Sequence, residues 1–141
     1  MGKQIIGYTT GVFDLFHVGH VNILKNARLN CDFLIVGVTT DELSEEVKHK
    51  KPVIPFDERI EIVKSIRYVD KVVAQTSMDK MAAFYKYKFD VMIVGDDWKG
   101  TPKWNQLELD FSKLGVRIVY VPYTQHTSSS LLRTILEKLD R

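Results

Sequence analysis

The chain has 141 residues, 45% of them hydrophobic and 27% charged, with a formal net charge of +2. These proportions suit one globular domain with one core, spanning 1–141, and the charge is too small to point to nucleic acid. The single cysteine excludes an internal disulfide framework and fits a reducing, cytoplasmic setting. No apolar run is long enough to span a membrane. The start Met1-Gly2-Lys3-Gln4 leads straight into a strand, so no signal peptide is expected, and Ile6 stands where a myristoylation motif needs Ser or Thr.

In chain order, a strand is expected over Gln4–Thr9. The run Gly11-Val12-Phe13-Asp14-Leu15-Phe16-His17-Val18-Gly19-His20 follows it and leads into a helix, about Val18–Leu29, with Ile23, Leu24 and Ala27 at helical spacing. Two of the four histidines therefore sit where a strand hands over to a helix. Three apart in a first helical turn, His17 and His20 face the same way. They stand beside the unpaired N–H groups and positive dipole end of that helix, a place that favours phosphate. A surface pair or half of a metal site are the plainer readings. A metal would want a further matching ligand, and Cys31 lies beyond the end of the helix.

The second strand, Phe33–Thr39, is followed by Thr39-Thr40-Asp41-Glu42 and then by a basic loop, Lys48-His49-Lys50-Lys51. Such a run is often just a solvated surface. Pro52 and Pro55 stiffen its exit into an expected cap at Asp57, which opens a helix over Asp57–Ser65. Next come a strand at Lys71–Ala74, a helix at Met78–Tyr87 and a strand at Val91–Val94 that ends in Gly95-Asp96-Asp97-Trp98. A helix at Asn105–Leu114, a strand at Arg117–Tyr120, the hydroxyl cluster Thr127-Ser128-Ser129-Ser130 and a helix at Ser128–Lys138 complete the chain. Alternating β and α elements predict an α/β domain, a five-stranded parallel sheet with helices on both faces. In such a sheet the ligand crevice lies at the carboxyl ends of the strands, where these motifs fall.

The motifs GVFDLFHVGH, TTDE, the lysine run, Asp57-Glu58-Arg59, Ile66-Arg67-Tyr68-Val69-Asp70 and GDDW resemble the nucleotidyltransferase superfamily with the HxGH signature. Within it they are most similar to the small cytidylyltransferases of the glycerol-3-phosphate type. The resemblance implies a Rossmann-like sheet of order 3-2-1-4-5. It implies transfer of a cytidylyl group from CTP to a small phosphorylated alcohol, glycerol 3-phosphate above all, giving a CDP-alcohol and pyrophosphate for a surface polymer such as teichoic acid or capsule. It also implies Mg2+ or another divalent cation with CTP, no tightly bound organic cofactor, no nucleic-acid or membrane partner, a cytoplasmic location and a homodimer.

The same resemblance assigns roles. His17, His20, Lys48 and Lys50 would be catalytic, the imidazoles contacting the triphosphate and acting best when protonated. Gly11, Val12, Phe13, Asp14, Gly19, Asp97, Trp98, Tyr123, Thr124, Ser128, Ser129, Ser130 and Arg133 would bind the nucleotide. Asp41, Lys48, Arg59 and Arg67 would bind the acceptor, with Arg67 to Asp70 also supporting a dimer interface. Asp14 is open between a metal ligand and a bond to loop N–H groups. The lysine loop is one residue longer than the family pattern, which leaves two registers open.

The last motif departs from that pattern. Tyr123 replaces an arginine that would contact phosphates, His126 replaces a glycine, and Val12 replaces a threonine. The stretch Thr127 to Arg133 also resembles the ISSTxIR motif of adenylyl-transferring relatives, which would let Arg133 supply the charge missing at Tyr123. Three functions stay open: cytidylyl transfer to glycerol phosphate or another polyol or amino-alcohol phosphate, adenylyl transfer at the same site, and a non-catalytic nucleotide-binding module.

Overall fold

A computed structural model describes residues 3–123 and 128–139. The expectations for Thr124, His126 and Thr127 fall outside the described residues. Five strands, β1 (Ile6–Gly11), β2 (Phe33–Thr39), β3 (Lys71–Gln75), β4 (Val91–Gly95) and β5 (Arg117–Val121), form one sheet in the order β3-β2-β1-β4-β5. Every pairing is parallel. The helices are α1 (Val18–Arg28), α2 (Asp41–Lys48), α3 (Phe56–Lys64), α4 (Lys80–Tyr87), α5 (Pro102–Ser112) and α6 (Ser129–Leu139), and a single 3-10 turn covers Asp96–Trp98.

The central strands are buried on both faces, which is why they read as nearly continuous apolar runs. Leu34, Val36 and Val38 of β2 join Leu24, Ala27 and Val63 on one side of the sheet. Ile35 joins Tyr8, Phe89, Met92, Trp104 and Phe111 on the other. Two hydrophobic layers thus fix the sheet between the helices and leave its carboxyl edge to polar residues.

Several boundaries differ from expectation for local reasons. β1 begins and ends two residues later, because Thr10 and Gly11 pair with Gly37 and Val38 of β2. α5 starts at Pro102, not Asn105. Thr101 caps it through a bond from the Trp104 N–H, and proline at the first helical position gives up no needed donor. α3 starts at Phe56, with Pro55 rather than Asp57 at its cap and no side-chain cap bond. The stretch after β2 is a helix, not a loop. The Thr40 hydroxyl accepts from the Leu43 N–H at 3.2 Å, acidic Asp41 and Glu42 open α2, and Lys48 closes it, each matched to the helix dipole.

Gly7 in β1 lets Cys31 pack tightly against the strand. A Cβ there would stand 2.6 Å from Cys31 Sγ and 2.9 Å from its Cβ. Gly7→Ala is expected to destabilise the domain by about 1–3 kcal/mol, the range for forcing a methyl into a packed core. Urea unfolding of the two proteins measures it.

Candidate functional site

The site is built on the turn from β1 to α1. Phe13 and Leu15 both adopt left-handed backbone, at φ 55° and 49°. Each such non-glycine residue costs on the order of 1–3 kcal/mol. Asp14, between them and only 5% exposed, supplies the compensation. One carboxylate oxygen accepts from the N–H groups of Leu15 at 3.1 Å and Ile54 at 2.9 Å. The other accepts from the Val53 N–H at 2.8 Å and from Arg133 Nη2 at 3.0 Å. Hydrogen bonds to a charged group contribute roughly 1.5–3 kcal/mol each, so four of them outweigh the strain.

This answers the open question about Asp14. Its carboxylate is filled by protein donors and has no free face for a cation. Among the described residues no three His, Cys, Asp or Glu side chains gather as a metal site. The described residues thus offer no cage that would hold a cation without substrate, and Asp14 is engaged by protein donors instead.

At the start of α1 the two histidines cap the helix reciprocally. His17 Nδ1 accepts from the Gly19 N–H at 3.0 Å, and His20 Nδ1 accepts from the His17 N–H at 3.1 Å. Both backbone groups can only donate, so both Nδ1 atoms are acceptors and both neutral imidazoles carry their proton on Nε2. The rings lie 4.1 Å apart, and His20 is walled by Phe13 and Phe16. Burial lowers the pKa of His17. Burial, reinforced by His17 and opposed by Asp14, brings His20 down to about 4. In the free protein both imidazoles are therefore neutral at pH 7, and the protonated form expected beside bound phosphate is not the resting one. Protonation would convert each Nδ1 to a donor facing a donor and would break the cap.

α6 closes the site from the far end of the chain. The Ser128 hydroxyl caps it by accepting from the Leu131 N–H at 3.0 Å. The Ser129 hydroxyl donates to the backbone oxygen of Asp14 and lies 3.5 Å from His20 Nε2. The first turns of α1 and α6 thus converge on one point, with N–H dipoles from both. Ser130 is exposed and its carbonyl accepts from the Thr134 hydroxyl. Arg133 does not point at a phosphate site as expected. Its Nη2 is shared between Asp14 and the carbonyl of Lys51 at 2.9 Å, so it latches α6 to the turn and to the basic loop.

Arg59 and Asp41 are corrected as well. Arg59 is fully buried. It donates to the carbonyls of Ile54, Val12 and Thr39 and to the Asp41 carboxylate at 2.6 Å. Asp41 also accepts from the Phe56 N–H. The pair ties the ends of β1, β2 and the basic loop together and offers nothing to an acceptor. Arg67 lies between α3 and β3, at the amino edge of the sheet, where its guanidinium donates to the Tyr68 hydroxyl. Within this chain it does not reach the site. Asp70 is held internally by Arg28 and the Leu34 N–H.

The remaining expected residues surround the turn. The Phe13 ring is buried in the core, where it borders the site by walling His20. Gly11 ends β1, the Val12 carbonyl is taken by Arg59, and Gly19 is buried beneath His17. Lys48, Lys50 and Lys51 are exposed, strung between α2 and the Asp14 anchor. Loss of hydration draws the pKa of Lys48 down. Asp97 and Trp98 are exposed on the turn after β4. The Tyr123 ring packs on Gly95, and burial, with Asp97 and Asp96 nearby, pushes its pKa up to about 12.

One residue escaped the sequence reading. Lys80 opens α4 just after β3 and turns inward, its Nζ 3.5 Å from the Thr10 hydroxyl at the end of β1. Burial, with a smaller contribution from Lys103, brings its pKa to about 8. The signal was positional: the loop after β3 reaches the same edge as the loops after β1, β2 and β4, and its lysine deserved the same scrutiny.

A parallel α/β sheet whose carboxyl edge gathers two helix N-termini, two Nε2–H donors and lysines from the β2 and β3 sides has the donor set that suits an anion of several charges. The chain belongs to the cytidylyltransferase-like family, whose family model matches residues 8–135. It is 35% identical over 132 residues to a glycerol-3-phosphate cytidylyltransferase of Staphylococcus aureus, covering 93% of this chain and 92% of that one. It is 33% identical over 134 residues to an FAD synthase of Archaeoglobus fulgidus, covering 92% and 96%. Among solved structures it resembles a lipopolysaccharide core biosynthesis protein from Thermoplasma volcanium, with a TM-score of 0.73 and 26% identity, covering 89% of this chain and all of that one.

Two measurements check this geometry. His20 in the free protein is expected to titrate near pH 4 in an NMR titration, not near 6.5. Its folded pKa lies below its unfolded value, so the unfolded chain binds the proton first. The stability this group contributes is complete above about pH 6.5 and is lost as the pH falls towards 4. His20→Asn is expected to flatten that part of the stability profile. Arg59→Leu, which strands three carbonyls and a carboxylate, is expected to cost roughly 3–5 kcal/mol in urea unfolding.

Proposed function

We propose that this protein transfers a cytidylyl group from CTP to a small phosphorylated alcohol, glycerol 3-phosphate by preference, releasing pyrophosphate. The observation that carries the reading is the reciprocal histidine cap, which fixes two Nε2–H donors at the start of α1, that of His20 3.5 Å from the Ser129 hydroxyl at the start of α6. The nucleophile is a phosphate oxygen of the acceptor, already anionic at neutral pH, so no strong base is required. The work is to bring two anions together and stabilise charge as the oxygen attacks the α-phosphorus and the pyrophosphate oxygen leaves. Fixed N–H donors do this without reorganisation. The neutral imidazoles lower the electrostatic barrier to binding less than imidazolium would, and the lysines make up the difference.

Lys48, Lys50 and Lys51 approach from the β2 side and Lys80 from the β3 side, which supports a division in which both substrates are clamped by cations from different loops. A divalent cation would travel with the triphosphate, since Asp14 is fully engaged. The finer expectations belong to the same reading: a cytoplasmic enzyme, a homodimer formed through the region Arg67 to Asp70 beside the edge strand β3, and a CDP-alcohol that feeds a surface polymer. Among the described residues no helix is long and apolar enough to cross a membrane.

A second reading, adenylyl transfer, is favoured by the similarity to an FAD synthase and by the serine-capped α6. Pyrophosphate release, measured with CTP and ATP against a panel of phosphorylated alcohols and FMN, separates the two. Turnover with CTP and glycerol 3-phosphate supports the first reading, turnover only with ATP supports the second, and none with any pair returns the chain to a binding module. With the active pair in hand, His17→Ala and His20→Ala are each expected to lower kcat by about 10²–10³-fold, as for the loss of a fixed oxyanion donor. Near-normal turnover in either would remove that histidine from the mechanism.

A further inference from the structure

The formal net charge of +2 conceals a segregation of charge. Every strand pairing is parallel, so the amino ends of the strands meet at the edge opposite the site. Hydrogen bonds join the starts of β1, β4 and β5 into one continuous surface there. The Ile5 N–H donates to Asp32 and the Ile6 N–H to Asp90, both at 2.8 Å, and the Arg117 N–H donates to the Asp90 carbonyl at 3.2 Å. Both carboxylates are thus turned to backbone. The cations are not. Lys88, Lys113 and Arg117 are exposed and form no ion pair among the described residues, and Lys3 lies 3.7 Å from Asp90 with its side chain 86% exposed.

Helix dipoles account for part of this pattern. Lys88 and Lys113 are the caps that end α4 and α5, where a cation complements the last carbonyls. Lys3 precedes β1 and Arg117 begins β5, so both stand outside that explanation. So do the aliphatic side chains set among the cations. Leu29, at the end of α1, is 77% exposed, and Ile5 and Leu114 are exposed on the same edge. The turn after Leu29 adjoins Ile5 through Asp32, whose N–H donates to the Ile5 carbonyl at 2.8 Å. A nucleic acid would use the charge and leave the leucines in water. An anionic bilayer uses both, with phosphate at its surface and hydrocarbon just beneath.

We propose that the amino edge of the sheet is a docking surface for an anionic phospholipid bilayer. Lys3, Lys88, Lys113 and Arg117 meet the headgroup phosphates, and Leu29, Ile5 and Leu114 reach the acyl boundary. The chain lies on the bilayer and does not enter it, since among the described residues no helix is long and apolar enough to cross. The site opens at the opposite edge, so docking leaves the histidines and the basic loop facing water, where charged substrates are found. The resemblance to the small cytidylyltransferases implies no membrane partner, and this surface departs from that expectation. Docking is independent of the reaction that the site performs.

Sedimentation of the full chain with vesicles tests this. Vesicles of phosphatidylcholine with about one-third phosphatidylglycerol are expected to bind the protein about tenfold or more tightly than phosphatidylcholine alone, at about 0.1 M salt. The double variant Lys88→Gln, Lys113→Gln is expected to lose about tenfold of that affinity. Leu29→Ser keeps every charge and is expected to lose about threefold. All three side chains are exposed, so the fold is retained, as circular dichroism checks. No preference for the anionic vesicles overturns the proposal. Binding that survives the edge variants but is lost in Lys48→Ala, Lys50→Ala, or is displaced by CTP, assigns the vesicle to the basic loop and overturns it too. Binding that falls in the lysine variant, is unchanged in Leu29→Ser and is matched on heparin shows a general polyanion surface, which also overturns it. None of these outcomes bears on pyrophosphate release, so the proposed function stands or falls separately.

Discussion

The site depends on one carboxylate. Asp14 takes four hydrogen bonds from three separate parts of the chain: its own turn, the exit of the basic loop and α6. Without it, two left-handed residues have no reason to persist, and the turn would relax towards ordinary backbone. Arg59 performs the complementary task with the opposite charge, collecting carbonyls where Asp14 collects N–H groups. The two groups sit on neighbouring stretches and both engage Ile54, one through its N–H and the other through its carbonyl. Buried charge in this protein is spent on holding loops that have no regular hydrogen-bond ladder of their own.

In the proposed reaction the histidines convert that rigidity into chemistry. A helix N-terminus ordinarily uses serine, threonine or aspartate as its cap. Here an imidazole caps through one nitrogen, and in the proposed reaction the other serves the ligand, so structure and reactivity would be divided between two atoms of one ring. Each ring is fixed in tautomer and direction before any substrate arrives. The low pKa of His20 follows from the same arrangement, because its surroundings of Phe13 and Phe16 exclude water and its Nδ1 already has a donor.

The fold was legible in the sequence wherever burial set the pattern. Val91 to Val94 and Phe33 to Thr39 read as strands, and both are, with burial on both faces. The HxGH turn was legible because strand, glycine and histidine spacing agree. α2 was not read, although Thr40, Asp41, Glu42 and Lys48 carry its cap and dipole signals, because its composition is almost wholly polar and the basic run drew the eye to a loop. Arg59 and Asp41 were misplaced for a deeper reason. An arginine written in a sequence looks the same whether it binds a phosphate or three carbonyls, and only the closing of loops 20 to 47 residues away in sequence decides. Arg133 was read in the right place but with the wrong partner, since Asp14 lies 119 residues away. Lys80 was missed because nothing in its own neighbourhood marks it; Thr10 reaches it across 70 residues.

Those separations have a consequence for how the protein comes to life. The anion site draws on residues near 14, 53 and 133, so no fragment of the chain contains it. A nascent chain emerging from the ribosome can pair β1 with β2 early, but the Asp14 turn lacks its last partner until α6 is free of the exit tunnel. The strands can collapse around their apolar layers before then, while the pocket stays unformed, since long-range contacts are the slow ones. On the proposed function, competence to hold nucleotide would arrive with α6, and substrate binding would report on the completion of folding itself.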